Sequence, residues 1–279
     1  MRLWFLVIWI VLAAPLWADD APRLGIFGVV EQVSPLVVAG REITVPEEVN
    51  VISLLGPNQA IEVGDTLAIR VLAEAGGLKA ARILQIFPVV GPVTDVQGST
   101  ATVMGSAVHV PPDMAVKAKS WLAVSGLWSG MTVITTNLRV VDHGGFGHLT
   151  GVVDASTMQI GASEVRGAEV PLDGLGEDVW IFSGVAEDAG LRVSLKMRGV
   201  FGGEIDLVLW QGYASLPVAS QTYMIHGTGI LGTARDAQMP EAGRLIARCV
   251  HKGRIVAAAP DGMSAGFAAL DCARHIPAD

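Results

Sequence analysis

One pattern constrains this chain more than any other: it returns about every sixty residues. Four stretches open alike, at 25–33, 90–96, 147–154 and 210–216, each with glycine among β-branched residues. A turn and a second stretch follow each of them, at 36–45, 101–110, 158–165 and 221–230. The second half of each period also recurs. The run 66–71 leads to Gly76 and Gly77 and then to 78–86. The run 121–125 leads to Ser129 and Gly130 and then to 131–141. The third period has 179–183, Asp188, Ala189 and Gly190, then 191–197. The fourth has 245–250, His251, Lys252 and Gly253, then 254–259. Alternating β-rich runs on either side of a short glycine-bearing loop are hairpin signals. Helical periodicity is nearly absent, and Gly76 and Gly77 interrupt the most helix-like stretch, 73–84.

Four or five short strands per period suit a small closed or half-open barrel. The expectation is an all-β protein of about four tandem small β-barrel units, OB-like or SH3-like, at 24–88, 89–142, 147–200 and 206–259. The last of these is divergent, and 260–279 form a C-terminal tail. A unit of this size buries only about 60 % of its chain surface and is marginal alone. Hydrophobic residues make up 51 % and charged residues only 16 % of the chain, so packing between units is expected to cover the surplus. The joints near 88–92, 142–147 and 199–206 contain no long polar linker, which predicts a compact chain of units.

The beginning reads as an address. Arg2 precedes an apolar run at 3–12, and Ala18 stands before Asp19 and Asp20. That order predicts a secretory signal peptide at 1–18, cut after Ala18. The competing reading is an uncleaved anchor, but the run falls short of the roughly 20 apolar residues a span needs, and Pro15 interrupts it. No cysteine follows the run, which excludes a lipoprotein, and no later stretch predicts a transmembrane segment. Aromatic residues are only 6 %, too few for the two interfacial girdles of an outer-membrane barrel. A periplasmic or secreted location follows as an expectation. With 27 acidic against 19 basic residues and no basic run, nucleic acid is not an expected partner. In an oxidising compartment Cys249 and Cys272 are expected to pair, closing a loop worth about 3 kcal/mol in the chain-entropy model. Two buried free thiols are the alternative.

The first unit carries a recognisable set of residues: Gly28, Val29 and Val30; Gly40 to Ile43 with Val45; Val63, Gly64 and Asp65 before a strand; then Ala80, Ala81, Arg82 and Ile83. Over 25–87 it resembles the bacterial secreted family described as domain of unknown function 5666. The later units depart from the turn motif, with Lys119 and Ser120, Glu177 and Asp178, and Ala242 and Gly243 in its place. The resemblance implies small envelope β-domains, often in tandem, with no established activity and no catalytic residues to transfer. Within the motif, Gly64 supplies a positive φ and Asp65 can hydrogen-bond its own turn.

Several motifs look like chemistry. Gly262, Ser264 and Gly266 match a nucleophile elbow, but Asp271 and His275 follow too closely and no βαβ pattern precedes them. Gly227, Gly229 and Gly232 match a dinucleotide fingerprint, yet Pro240 and a hairpin stand where a helix and an acid should follow, so they read as turn and bulge positions. Asp142, His143 and His148 around a glycine-rich loop are weak candidate ligands for zinc or copper. Trp121 and Trp180 occupy nearly equivalent positions and could form a glycan platform, or pack in a core. The neighbouring acids Glu47 and Glu48, Asp19 and Asp20, and Glu177 and Asp178 would point to opposite strand faces, which disfavours a glycosidase pair. No catalytic set converges, and no cofactor is expected. The leading expectation is an exported, non-enzymatic envelope module that binds or scaffolds a protein partner through a sheet edge or an apolar groove between units. A periplasmic binder of a metal ion or glycan is the alternative, and a hydrolase the third.

Overall fold

The computed structural model describes residues 22–57, 59–112, 114–142, 144–167, 170, 173–218, 221–233 and 239–275. The leader assigned to 1–18 lies outside them.

The chain is nearly all β. The first group of strands is β1 (Leu24–Gln32), β2 (Leu36–Val38), β3 (Arg41–Thr44), β4 (Val51–Ile52), β5 (Thr66–Glu74) and β6 (Gly77–Ile86). The second is β7 (Val89–Gln97), β8 (Thr100–Val103), β9 (Ser106–His109), β10 (Trp121–Ser129) and β11 (Thr132–Val140). The third is β12 (Phe146–Val152), β13 (Gln159–Ile160), β14 (Ser163–Arg166), β15 (Val179–Glu187) and β16 (Gly190–Arg198). The fourth is β17 (Leu207–Tyr213), β18 (Thr222–Met224), β19 (Leu231–Thr233), β20 (Leu245–His251) and β21 (Arg254–Ile255). A short helix α1 (Ser264–Ala269) and a 3-10 turn at Cys272–His275 end the described chain.

In the first two groups the strands close into five-stranded barrels. In the first, β1 pairs with β2, β2 with β3, β3 with β6, β6 with β5, and β5 back with β1. In the second, the ring runs β7, β8, β9, β11, β10 and back to β7. Only one neighbour pair in each ring is parallel: β3 with β6, and β9 with β11. A three-strand meander whose last strand runs parallel to the fifth is the Greek-key order of an OB barrel. The third and fourth groups follow the same order, with the ring completed by single antiparallel bridges, Asp154 to Gln159 and Ala214 to Ile225.

The long hairpins follow from local chemistry. All four close through two residues, as in Glu74 opposite Gly77 and His251 opposite Arg254. In the last, Lys252 and Gly253 both take positive φ, +48° and +73°, the conformation whose twist matches a hairpin. The expected fourth-unit stretch at 221–230 is shifted. Its hairpin joins β18 to β19, so 225–230 is the connecting loop, held by the Thr228 hydroxyl on the Ile225 carbonyl at 2.7 Å.

The barrels share cores. β12 pairs with β7, which joins the second and third barrels into one sheet, and one apolar cluster runs through both. β1 pairs in parallel with β17, from Leu24 beside Leu207 to Phe27 beside Trp210, which joins the first barrel to the fourth. A third cluster takes side chains from all four: Phe27, Leu127, Ile181 and Trp210. The C-terminal tail returns to the first barrel. Leu270 is fully buried there, and Arg41 donates to the Ala269 carbonyl at 2.9 Å. Cys249 and Cys272 are bonded, with Cα atoms 5.6 Å apart, and both sit in the core of the first barrel. Replacing both by serine should cost about 3 kcal/mol, since the bridge closes a loop of 23 residues' separation. Urea unfolding of wild type and variant checks this; coincident curves would assign the bridge no stabilising role.

Candidate functional site

Two glycine-lined contacts bring the barrels together. Trp128 on β10 is 6 % exposed, and its indole N–H donates to the Thr150 carbonyl of the third barrel at 2.8 Å. Gly227 of the fourth barrel lies flat against it: a Cβ there would stand 2.5 Å from the Trp128 ring, and φ is +74°. Gly229 approaches the Glu177 carbonyl of the third barrel in the same way, at 2.5 Å from a Cβ. The glycines at 227, 229 and 232 are therefore turn and close-contact positions, two of them between barrels.

Beside this junction a cleft of about 650 Å³ opens between the third and fourth barrels. That volume is in the range of ordinary ligand sites. β15, the 199–206 connection, β17 and β20 supply its walls. Its floor is apolar and aromatic. Trp210 stacks on Phe27 with centroids 4.3 Å apart and meets Phe201 edge-on at 6.1 Å. The Trp210 indole nitrogen is buried and has no hydrogen-bond partner among the described residues. The rim is charged. Arg198 pairs with Asp178 at 2.6 Å, and Glu204 with Arg23 at 3.0 Å. Lys252 and Glu177 line the same cleft with no ion pair among the described residues, leaving one cation and one anion uncommitted. Deeper in the junction, burial lowers the pKa of His226, which favours its neutral form.

A second polar centre joins the first and second barrels. Asp65 is fully buried. It accepts from the Glu62 backbone and Gln85 at 2.9 Å, from Asn137 at 3.1 Å, and from Arg139 at 2.9 Å. Gly64, at φ +88°, lies against the Thr136 carbonyl, and the Thr136 hydroxyl donates to the Gly64 carbonyl at 2.5 Å. The Asn137 amide first, and then the Arg139 charge, hold the Glu62 carboxyl below its usual range. The turn expected from Gly64 and Asp65 is present. Its second task, clamping β11 of the next barrel, was not legible, because the partner residues lie more than seventy positions away.

The other expected site residues are scattered. His148 is 4 % exposed on β12, with its ring nitrogens 3.0 Å from the Ser183 and Thr150 hydroxyls. Strand pairing turns it into the sheet, away from the exposed Asp142; His143 lies outside the described residues. Among the described residues no group of three or more His, Cys, Asp or Glu could hold a metal ion. Trp180 is 6 % exposed and stacks on Phe182 at 5.8 Å, packed in its barrel rather than presented on a surface. Trp121 is partly buried at the start of β10, on a different barrel. Ser264 opens α1 after a turn rather than a strand, and Asp271 pairs with Arg41 at 3.2 Å. The side chain of His275 lies outside the described residues. Glu47 and Glu48 fall in a turn, as expected for solvated charges. Asp19 and Asp20 lie outside the described residues, and Glu177 and Asp178 stand on the cleft rim.

Comparison with protein-family models, with curated proteins and with solved structures returned no match. The class is set by the fold itself: an all-β protein of OB-order barrels with shared cores, a cleft between two of them, and a disulfide that ties β20 of the fourth barrel to the C-terminal tail. Among the described residues, no helix is long and apolar enough to cross a membrane.

Proposed function

We propose that this is an exported, non-enzymatic envelope protein whose barrels act as one scaffold and whose cleft between the third and fourth barrels holds an extended segment of a protein partner. The observation that carries the reading is the cleft: an aromatic, apolar floor under a rim where Lys252 and Glu177 make no ion pair among the described residues. A segment with apolar side chains flanked by one charge of each sign complements it. The leader pattern at 1–18 and the disulfide support export to the periplasm or beyond. Kinship with the secreted family that 25–87 resembles belongs to the same proposal.

A photo-crosslinking residue at Ile205, in the cleft, tests it against one at Val45, exposed on the first barrel. In cells, Ile205 should yield one dominant adduct that Val45 does not, and Lys252→Glu should abolish it. No adduct, or the same adducts from both positions, would overturn the reading.

A further inference from the structure

Two arginines face each other on the outer wall of the first barrel. Arg70 on β5 and Arg82 on β6 are direct cross-strand partners. Their neighbours Ile69 and Ile83 are fully buried, so alternation turns both arginines outward to the same side. Like charges placed directly opposite repel, and a sheet normally avoids the pairing or neutralises it. Neither happens here. Among the described residues neither guanidinium has a carboxylate within 4.0 Å, although the chain holds 27 acids. The nearby acids of the 199–206 connection are already committed, since Glu204 and Asp206 both pair with Arg23 at 3.0 Å.

The surroundings hold the two guanidiniums in place. A Cβ on Gly202 would stand 2.6 Å from Arg82 Nη1, and one on Gly203 would stand 3.5 Å from Arg70 Nη1. The glycines thus let the backbone lie close over both side chains. Among the described residues, Arg82 makes one long hydrogen bond, 3.4 Å to the Gly202 carbonyl, and its buried Nε has no partner. A cavity of about 420 Å³ opens at this point, lined by Arg23, Arg70 and Arg82 and by Leu24, Leu72 and Ala81. Leu72 is 53 % exposed, which leaves an apolar wall beside the paired charges.

We propose that this cavity binds a small amphiphilic oxyanion, with a phosphate monoester or carboxylate head between Arg70 and Arg82 and an apolar body along Leu24, Leu72 and Ala81. Guanidinium forks match both headgroups in geometry and charge. The ligand neutralises the like-charge pair, for which the described residues supply no acid. This site is separate from the cleft on the other side of the 199–206 connection, and its test does not depend on a protein partner.

Calorimetric titration of the full chain with hexyl phosphate, hexanoate and inorganic phosphate tests it. Saturable binding of one amphiphile, tighter than inorganic phosphate, is the expected result. Preference between hexyl phosphate and hexanoate identifies the head. Arg70→Gln and Arg82→Gln should each weaken that binding about tenfold or more. In chloride buffer without ligand, Arg70→Gln should leave the melting temperature unchanged or raise it, because it removes a repulsion. No saturable binding, equal binding of inorganic phosphate, undiminished binding by both variants, or a lowered melting temperature of ligand-free Arg70→Gln would overturn the proposal.

Discussion

Asp65→Ala should lower the stability of the protein by about 3–5 kcal/mol, the cost of removing one partner from a buried ion pair. Asp65 is fully buried, and the Arg139 side chain opposite it is only 18 % exposed. Their closest ion-pair contact is 2.8 Å. Deleting the carboxylate strands the Arg139 charge and takes the acceptor from the Gln85 amide and from one Asn137 hydrogen bond. Glu62 retains a contact to Arg139 at 2.9 Å, but it is half exposed and screened by solvent, so it compensates little. The effect belongs to the stranded charge and not to the pair as such. The double variant Asp65→Ala, Arg139→Met should therefore recover much of the loss, because an apolar pair of similar volume replaces a desolvated one. Urea unfolding of the two single variants and the double variant measures the coupling. A cost below about 1 kcal/mol for Asp65→Ala, the range of exposed pairs, would show that this network is not a clamp between barrels.

Trp128→Ala should cost a similar amount, about 3–5 kcal/mol, as a large-to-small change in a packed interior. The indole is the wedge on which three barrels meet. Gly151 and Gly161 of the third barrel and Gly227 of the fourth all lie against it; a Cβ at Gly161 or Gly227 would overlap the ring, and one at Gly151 would stand 3.2 Å from the indole nitrogen. Loss of the ring leaves the Thr150 carbonyl without its 2.8 Å donor and opens a void that glycine backbone cannot fill. Trp128→Phe should cost clearly less, since most of the apolar volume stays and only the N–H donor goes. If Trp128→Ala and Trp128→Phe unfold together, cavity formation is not the source of the loss. If neither differs from wild type, the junction does not depend on this residue.

Both residues show where the sequence stops being legible. Asp65 was readable as a turn residue, because Glu62 to Thr66 is a local matter of φ angles and a side chain reaching its own backbone. Its capture of Arg139, 74 residues on, was not. Trp128 was visible as one tryptophan among several, with no sign that Gly227 would lie against it. Trp121 and Trp180 looked alike by position, yet the tryptophan that lines the cleft is Trp210, which strand pairing sets beside Phe27. His148 stands beside a glycine-rich loop as a candidate metal ligand, and on β12, paired with β15, it is buried between the Ser183 and Thr150 hydroxyls.

The amino-acid sequence by itself determined what short-range forces control: the all-β class, the long hairpins around short glycine-bearing turns, the positive φ at Gly64, and the candidate disulfide. Alternation and turn chemistry act over a few residues, so they can be read without knowing the partner strand. The tertiary structure alone decided that the barrels take the OB order with a single parallel pair, that they share cores, that Arg70 and Arg82 have no acid partner among the described residues, and that a cleft opens between the third and fourth barrels. Each of these depends on contacts between residues remote in sequence. Those contacts are selected by how whole barrels bury apolar surface together, and no local pattern records that choice.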